Sequence, residues 1–197
     1  LLLTAAHCVD EQARPGFKRG LFLGADASAY PTASTIAPKL VPIGEIILHP
    51  DYDREPPFFA DLAILRTTEP LAIPPLPLRY EPLDPELVGG PARIVGYGQT
   101  KYGEPNLRKH AADTVLAAID EGDTVTVGDL TKKTCIGDSG GPALVQIGGA
   151  EVVVGINSYT DLAGCLEPAH YRRTDVHAEW LATFVPPREG AGGGSEG

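Results

Sequence analysis

Short apolar runs broken by turn formers extend along this chain, and most are too short to be helices. Leu1-Leu2-Leu3 opens the sequence and gives way to small residues ahead of His7 and Cys8. Leu21-Phe22-Leu23 is closed by Gly24. Ile43, Ile46, Ile47 and Leu48 predict a strand over residues 43–49, stopped by Pro50, with His49 capping its end and holding no further role. Asp61 heads the unbroken apolar run Leu62-Ala63-Ile64-Leu65, the pattern of a buried strand. Strands follow over 92–98, 115–119 and 124–127, and residues 143–147 and 152–156 flank Gly148-Gly149 as a hairpin. A single helix is predicted near the end. Asp175 would N-cap it, Val176, Trp180, Leu181 and Phe184 fall on one face, and Pro186-Pro187 follow its last residue, Val185.

The segments between these runs are rich in turn residues. Residues 51–59 are a proline-rich, acidic and aromatic loop, and 99–110 and 128–134 are further loops. Residues 67–91 are proline-rich without periodicity and predict a connector extended over the surface between two halves. Residues 157–173 are turn-rich and hold Cys165. The resulting division is 1–78, 79–185 and a Gly-rich tail, 186–197, with nothing to bury and therefore expected to be disordered. The 19 prolines and 23 glycines suit an all-β chain of short strands better than a helical bundle.

The net charge of −10 argues against a nucleic-acid partner, which needs a basic face. No apolar run reaches the roughly 18 residues of a membrane span. Three cysteines leave one thiol over after one pair, and no second Cys/His pair stands at the spacing a zinc site needs. The chain has no methionine and no signal-peptide pattern, so it reads as a piece whose natural N-terminus lies upstream.

Chemistry concentrates at Cys135-Ile136-Gly137-Asp138-Ser139-Gly140-Gly141-Pro142. A serine between glycines can be approached closely by a substrate, but its hydroxyl needs a base. His7, preceded by the small Ala5 and Ala6, has room around its ring. Asp61, at a strand mouth, would be a costly unpaired charge unless it met an imidazole N–H. Taken singly, His7 reads as structural and Asp61 as a solvated loop residue. Together they follow the order His…Asp…Ser, one of three in which this triad occurs.

Leu3-Thr4-Ala5-Ala6-His7-Cys8, Asp61-Leu62-Ala63-Ile64-Leu65 and Gly137-Asp138-Ser139-Gly140-Gly141-Pro142 resemble the three signature motifs of the chymotrypsin/trypsin-like serine peptidases. His49-Pro50, Gly96-Tyr97-Gly98, Ile156-Asn157-Ser158-Tyr159 and the closing helix are similar too, so the resemblance covers residues 1–185. It implies two six-stranded antiparallel Greek-key barrels, the first incomplete here, with a C-terminal helix. It further implies a serine endopeptidase acting through an acyl-enzyme, with Ser139 as nucleophile, His7 as base and acid, and Asp61 as the orienter of His7. The N–H groups of Gly137 and Ser139 would form the oxyanion hole.

By the same resemblance, Cys135 and Cys165 form a disulfide that braces the specificity pocket, and Cys8 pairs with a cysteine upstream. Asp138 would be the activation-switch carboxylate of a zymogen, its partner a new N-terminus. The activating terminus lies outside this chain, so the piece alone is expected to be poorly active and marginally folded. Lys133 would lie at the pocket floor, with Thr134, Ser158, Tyr159, Thr160 and Ala169 around it. Lys133 argues against a preference for Arg or Lys at P1 and leaves two readings, acidic P1 residues or small apolar ones. The resemblance implies a monomer acting on polypeptides, open to protein inhibitors, without cofactor or metal, in a secreted, periplasmic or cell-surface setting.

Two other readings compete. Gly137-Asp138-Ser139-Gly140-Gly141 fits the G-x-S-x-G elbow of α/β-hydrolases, but that elbow needs a helix after the serine, where Pro142 and a β-branched hairpin follow. A non-catalytic binding module on the same fold is the alternative that retains the rest of the pattern.

Overall fold

In a computed structural model of the chain, which describes residues 1–12, 15–16, 19–161 and 165–187, the apolar runs pair antiparallel into two sheets. The first part contains β1 (Leu2–Thr4), the single-turn helix α1 (Ala6–Val9), β2 (Gly20–Phe22), the short helix α2 (Ala33–Ile36), β3 (Leu40–Leu48) and β4 (Ala63–Thr67). Its four strands lie in the order β1-β4-β3-β2. The second part contains β5 (Pro91–Gly96), β6 (His110–Ile119), β7 (Thr124–Val127), β8 (Pro142–Ile147), β9 (Ala150–Tyr159) and β10 (Ala169–Arg173). These close into a barrel in the order β10-β7-β6-β5-β8-β9, and helix α3 (Ala178–Ala182) follows. The all-β expectation holds: one barrel is complete and the other is a half-barrel sheet.

Local chemistry accounts for this layout. Ala63, Ile64 and Leu65 of β4 are all buried because the strand runs between β1 and β3 and is covered on both faces. The barrel core is built from Ile94, Leu116, Val125, Val127, Val145, Val154 and Tyr171. A second cluster joins Ala5 and Leu62 of the sheet side to Leu144, Val153 and Ile156 of the barrel, with Trp180 of α3 packed against it. This cluster holds the two sheets together. Gly148 and Gly149 both have positive φ, 59° and 82°, as a two-residue turn matched to strand twist requires.

Four expectations need correction. Residues 169–173, expected within a turn-rich segment, form β10, which completes the barrel between β9 and β7. Its Arg172 is 2% exposed because Asp123 neutralises it, a pairing that its sequence neighbours do not reveal. The strand expected at 115–119 begins at His110, because backbone pairing with β5 carries through its exposed first residues. The connector is stitched to the barrel rather than lying free: Arg79 N–H donates to Val153 O, Val153 N–H donates to Pro77 O, and Leu83 is buried in the core. Asp175 does not cap the last helix. Its carboxylate accepts Leu83 N–H and pairs with Arg173, so α3 starts after His177 and is short. From residue 188 on, the tail expected to be disordered lies outside the described residues.

Candidate active site

Asp61 is fully buried just ahead of β4, and three donors converge on it. Its Oδ1 accepts the backbone N–H of His7 at 2.8 Å. Its Oδ2 accepts His7 Nδ1 at 2.6 Å and the Ser158 hydroxyl at 2.6 Å. Because Asp61 Oδ2 is a carboxylate acceptor, His7 carries its proton on Nδ1, and Nε2 of the neutral ring is left as an acceptor. Phe58 stacks against the His7 ring with centroids 5.6 Å apart. Burial of the ring disfavours its charged form. The Asp61 hydrogen bond, with Cys8 and the Asp61 charge adding to it, outweighs that and raises the His7 pKa from 6.5 to about 10.

The serine loop packs onto the segment that carries His7. A Cβ added to Gly140 would stand 2.2 Å from Thr4 Oγ1 and 3.2 Å from Ala5 N, so only glycine permits this approach. Gly140 N–H donates to Asn157 O, and Asn157 N–H donates to Gly141 O, tying the loop to β9. Among the described residues Ser139 makes no hydrogen bond to His7; Nε2 of His7 faces the Cys8 thiol at 3.5 Å. The N–H groups of Gly137 and Ser139 have no backbone partner among the described residues, whereas the N–H groups of Asp138, Gly140 and Gly141 are all taken.

Asp138 turns away from the serine toward β5 and the residues after it. Its Oδ1 accepts Gly98 N–H at 2.7 Å and its Oδ2 accepts Cys135 N–H at 2.9 Å. Side chains at positions 96 and 98 would overlap the carboxylate, which explains both glycines of Gly96-Tyr97-Gly98. Asp138, Lys133 and Thr134 line a cavity of about 400 Å³ on this side.

Ser139 opens instead into a cavity of about 290 Å³ lined also by Thr134, Tyr159, Thr160, Cys135 and Cys165. Cys135 and Cys165 form a disulfide at its edge, and Cys8 is a free thiol. Ser158 borders this cavity, but its hydroxyl is committed to Asp61. Lys133 is absent from the lining of this cavity, and its ammonium donates to Leu130 O in its own loop. Ala169 is fully buried in the barrel core opposite Val127 and does not line this cavity. Among the described residues no cluster of His, Cys, Asp and Glu could hold a metal.

A sequence profile of the Trypsin family matches residues 1–181. The chain belongs to the trypsin family. Among curated relatives, an ovochymase of Halocynthia roretzi is 23% identical over 202 residues, spanning 91% of this chain and 12% of the relative. A venom serine protease of Polistes dominula is 26% identical over 160 residues, 73% of this chain and 56% of that protein. The human chymotrypsin-like elastase family member 1 is 25% identical over 206 residues, 93% of this chain and 77% of the elastase. The chain therefore spans an eighth to about half the length of the first two relatives and about three quarters of the elastase.

Sequence reading gave His49 no role and did not single out Asp123, Arg172 or His177, yet the four form one buried polar network against the loop that carries Asp61. Each polar group has its partner more than forty residues away in sequence, so no local pattern signals it.

Proposed function

We propose that this trypsin-family chain is a serine endopeptidase, with His7, Asp61 and Ser139 as its triad. The observation that carries this reading is the His7–Asp61 pair, with the serine loop packed on the histidine's own segment. Ser139 Oγ attacks the scissile carbonyl, and His7 Nε2 takes the hydroxyl proton and returns it to the leaving amine. Asp61 holds the Nδ1–H tautomer and stabilises the imidazolium. The partner-free N–H groups of Gly137 and Ser139 stabilise the oxyanion, a contribution of about 3–4 kcal/mol per donor in such sites. Substrate binding closes the serine–histidine contact, since catalytic hydrogen bonds tighten in the Michaelis complex.

The two halves, 1–78 and 79–185, divide the labour: the first supplies base and orienter, the second nucleophile, oxyanion donors and pocket. Lys133 is bound to its own loop and stands outside the lining of the cavity that Ser139 opens into, which supports small apolar P1 residues over acidic ones. Asp138 serves as the carboxylate that reports activation, its oxygens now held by Gly98 and Cys135. The disulfide implies maturation in an oxidising compartment, secreted, periplasmic or at a cell surface. The substrates are polypeptides, and the chain works as a monomer.

A fluorophosphonate probe tests the reading. Covalent labelling at Ser139 in an upstream-extended form, lost in Ser139→Ala and accompanied by hydrolysis of casein, is the expected result. An intact, folded, upstream-extended form that neither labels nor hydrolyses would instead be a binding module on the same fold.

A further inference from the structure

We infer that Asp123, oriented by Arg172 and His177, is a positioning residue that sets the catalytic carboxylate by gripping the backbone of residues 57–60 from the opposite barrel. This rests on the role given to Asp61 above. Asp123 lies between β6 and β7, Arg172 on β10 and His177 just before α3, so all three belong to the barrel. The loop they hold leads into β4 of the other sheet.

The grip is buried, and among the described residues only Arg172 Nε in it lacks a partner. Asp123 Oδ2 accepts Ala60 N–H at 3.1 Å, the residue directly ahead of Asp61. The same carboxylate accepts Arg172 Nη1 on Oδ1, and Arg172 Nη2 donates to Pro57 O. His177 Nε2 donates to Asp123 Oδ2 at 3.1 Å, which leaves His177 Nδ1 to accept His49 Nε2–H at 3.2 Å. His49 Nδ1 in turn accepts Asp51 N–H at 3.2 Å. Every link has one donor and one acceptor when both imidazoles are neutral and Asp123 is ionised. Asp123, His177, His49 and Arg172 are each under a tenth exposed, and Asp123 and Arg172 neutralise each other there.

The gripped loop needs such a restraint. Phe58 and Ala60 both sit at positive φ, 59° and 50°, a region that side chains other than glycine enter at a cost. Phe58 is the residue stacked on His7 and Ala60 the one that delivers Asp61. Releasing Ala60 N–H would let the loop relax toward ordinary backbone and turn both contacts away from His7. Arg172 also lies over the Tyr159 ring at 5.3 Å, so the grip reaches the pocket wall.

Asp123→Ala and Asp123→Asn, in the full chain, test this. With folding checked by thermal unfolding, Asp123→Ala should lower kcat about tenfold with KM unchanged, the effect of losing a hydrogen bond to a charged group. Asp123→Asn, which keeps an oxygen for Ala60 N–H but turns an amide N–H toward Arg172 Nη1, should restore part of it. The low-field Nδ1 proton of His7, followed by NMR, should titrate at lower pH in Asp123→Ala because Asp61 no longer faces it. Should Asp123→Ala not fold, His177→Phe, which removes one donor to Asp123 and the acceptor of His49 Nε2–H but leaves the Asp123–Arg172 pair, should move the His7 titration the same way. Folded variants with unchanged kcat and unchanged His7 titration would overturn the inference, as would equal kcat losses in Asp123→Ala and Asp123→Asn with His7 unmoved. The NMR readout needs no turnover, so an upstream-extended form that fails to label at Ser139 refutes the peptidase reading without deciding this one.

Discussion

The hydroxyl of Ser158 donates to Asp61 Oδ2 at 2.6 Å, so the Asp61 carboxylate is held from the barrel as well as by His7. Ser158 belongs to β9, the strand that also anchors the serine loop through Asn157, so one strand ties Asp61 and the Ser139 loop together. Replacing it by alanine leaves a buried carboxylate one donor short, which costs about 1.5–3 kcal/mol for a charged acceptor. Ser158→Ala is expected to reduce kcat/KM on an alanine P1 ester by about 10- to 100-fold. Steady-state kinetics on the folded variant decide the matter, and a loss under threefold would mean that the donor is dispensable.

Asp61→Asn tests the other half of the pair. His7 has its pKa raised above 6.5, toward about 10, so its free-base form accumulates only as pH rises, and activity should climb along a limb above 6.5. Removing the carboxylate should shift that limb back toward 6.5 and lower kcat about 10⁴-fold, since the ring loses the group that fixes its tautomer. The same pairing affects stability with a defined sign. A raised histidine pKa stabilises the fold fully below 6.5, and the contribution is lost as pH rises through the folded value near 10. A pH–rate profile with its limb unmoved in Asp61→Asn would exclude the assignment.

Much of this was legible from pattern alone, and the failures share a cause. The continuous run Leu62-Ala63-Ile64-Leu65 marked β4 because a strand covered on both faces must be apolar throughout. Gly148-Gly149 marked the β8–β9 hairpin because its turn needs positive φ twice. β10 was invisible because His170, Arg172 and Arg173 look like solvated charge, and only Asp123, 49 residues earlier, makes burial of Arg172 tolerable. Asp175 looked like a helix cap until Arg173 and Leu83 N–H claimed its carboxylate. A motif is local, whereas burial of charge depends on partners that only the fold supplies. Lys133 was subject to the same limit, since its sequence position says nothing of the loop carbonyl that takes its ammonium.

The proposed P1 preference can be tested at that last contact. With the Lys133 ammonium on Leu130 O, Lys133→Ala should change the ratio of small apolar to acidic P1 turnover by less than about threefold, because the charge does not face substrate. Thr160→Gly should instead admit larger P1 side chains, since Thr160 lines the cavity that Ser139 opens into. A P1 library assayed on both variants separates the two effects. A collapse of acidic P1 turnover in Lys133→Ala would show the lysine reaching substrate after all.

The buried histidine pair predicts acid lability. Burial, followed by the proximity of His177 and against the pull of Asp51 and Asp123, lowers the His49 pKa from 6.5 to about 4. His49 is therefore neutral in the folded chain while the unfolded chain takes up a proton below 6.5. Its contribution to stability is complete above 6.5 and is lost as pH falls toward 4. At about 1.4 kcal/mol per pH unit across that window, the loss is about 3 kcal/mol, or about 6–12 °C in Tm for a chain of this size. The physical reason is the proton count of the chain of bonds from Asp51 N–H to Asp123. A further proton on His49 turns its Nδ1 from acceptor into donor and breaks the link to Asp51 N–H. His49→Gln, which cannot titrate, should unfold at a lower Tm near pH 7.5 yet lose less on acidification. Thermal scans at pH 7.5 and 4.5 give the comparison. Equal acid-induced drops in Tm for the two proteins would assign the lability to carboxylates elsewhere and remove His49 from the account.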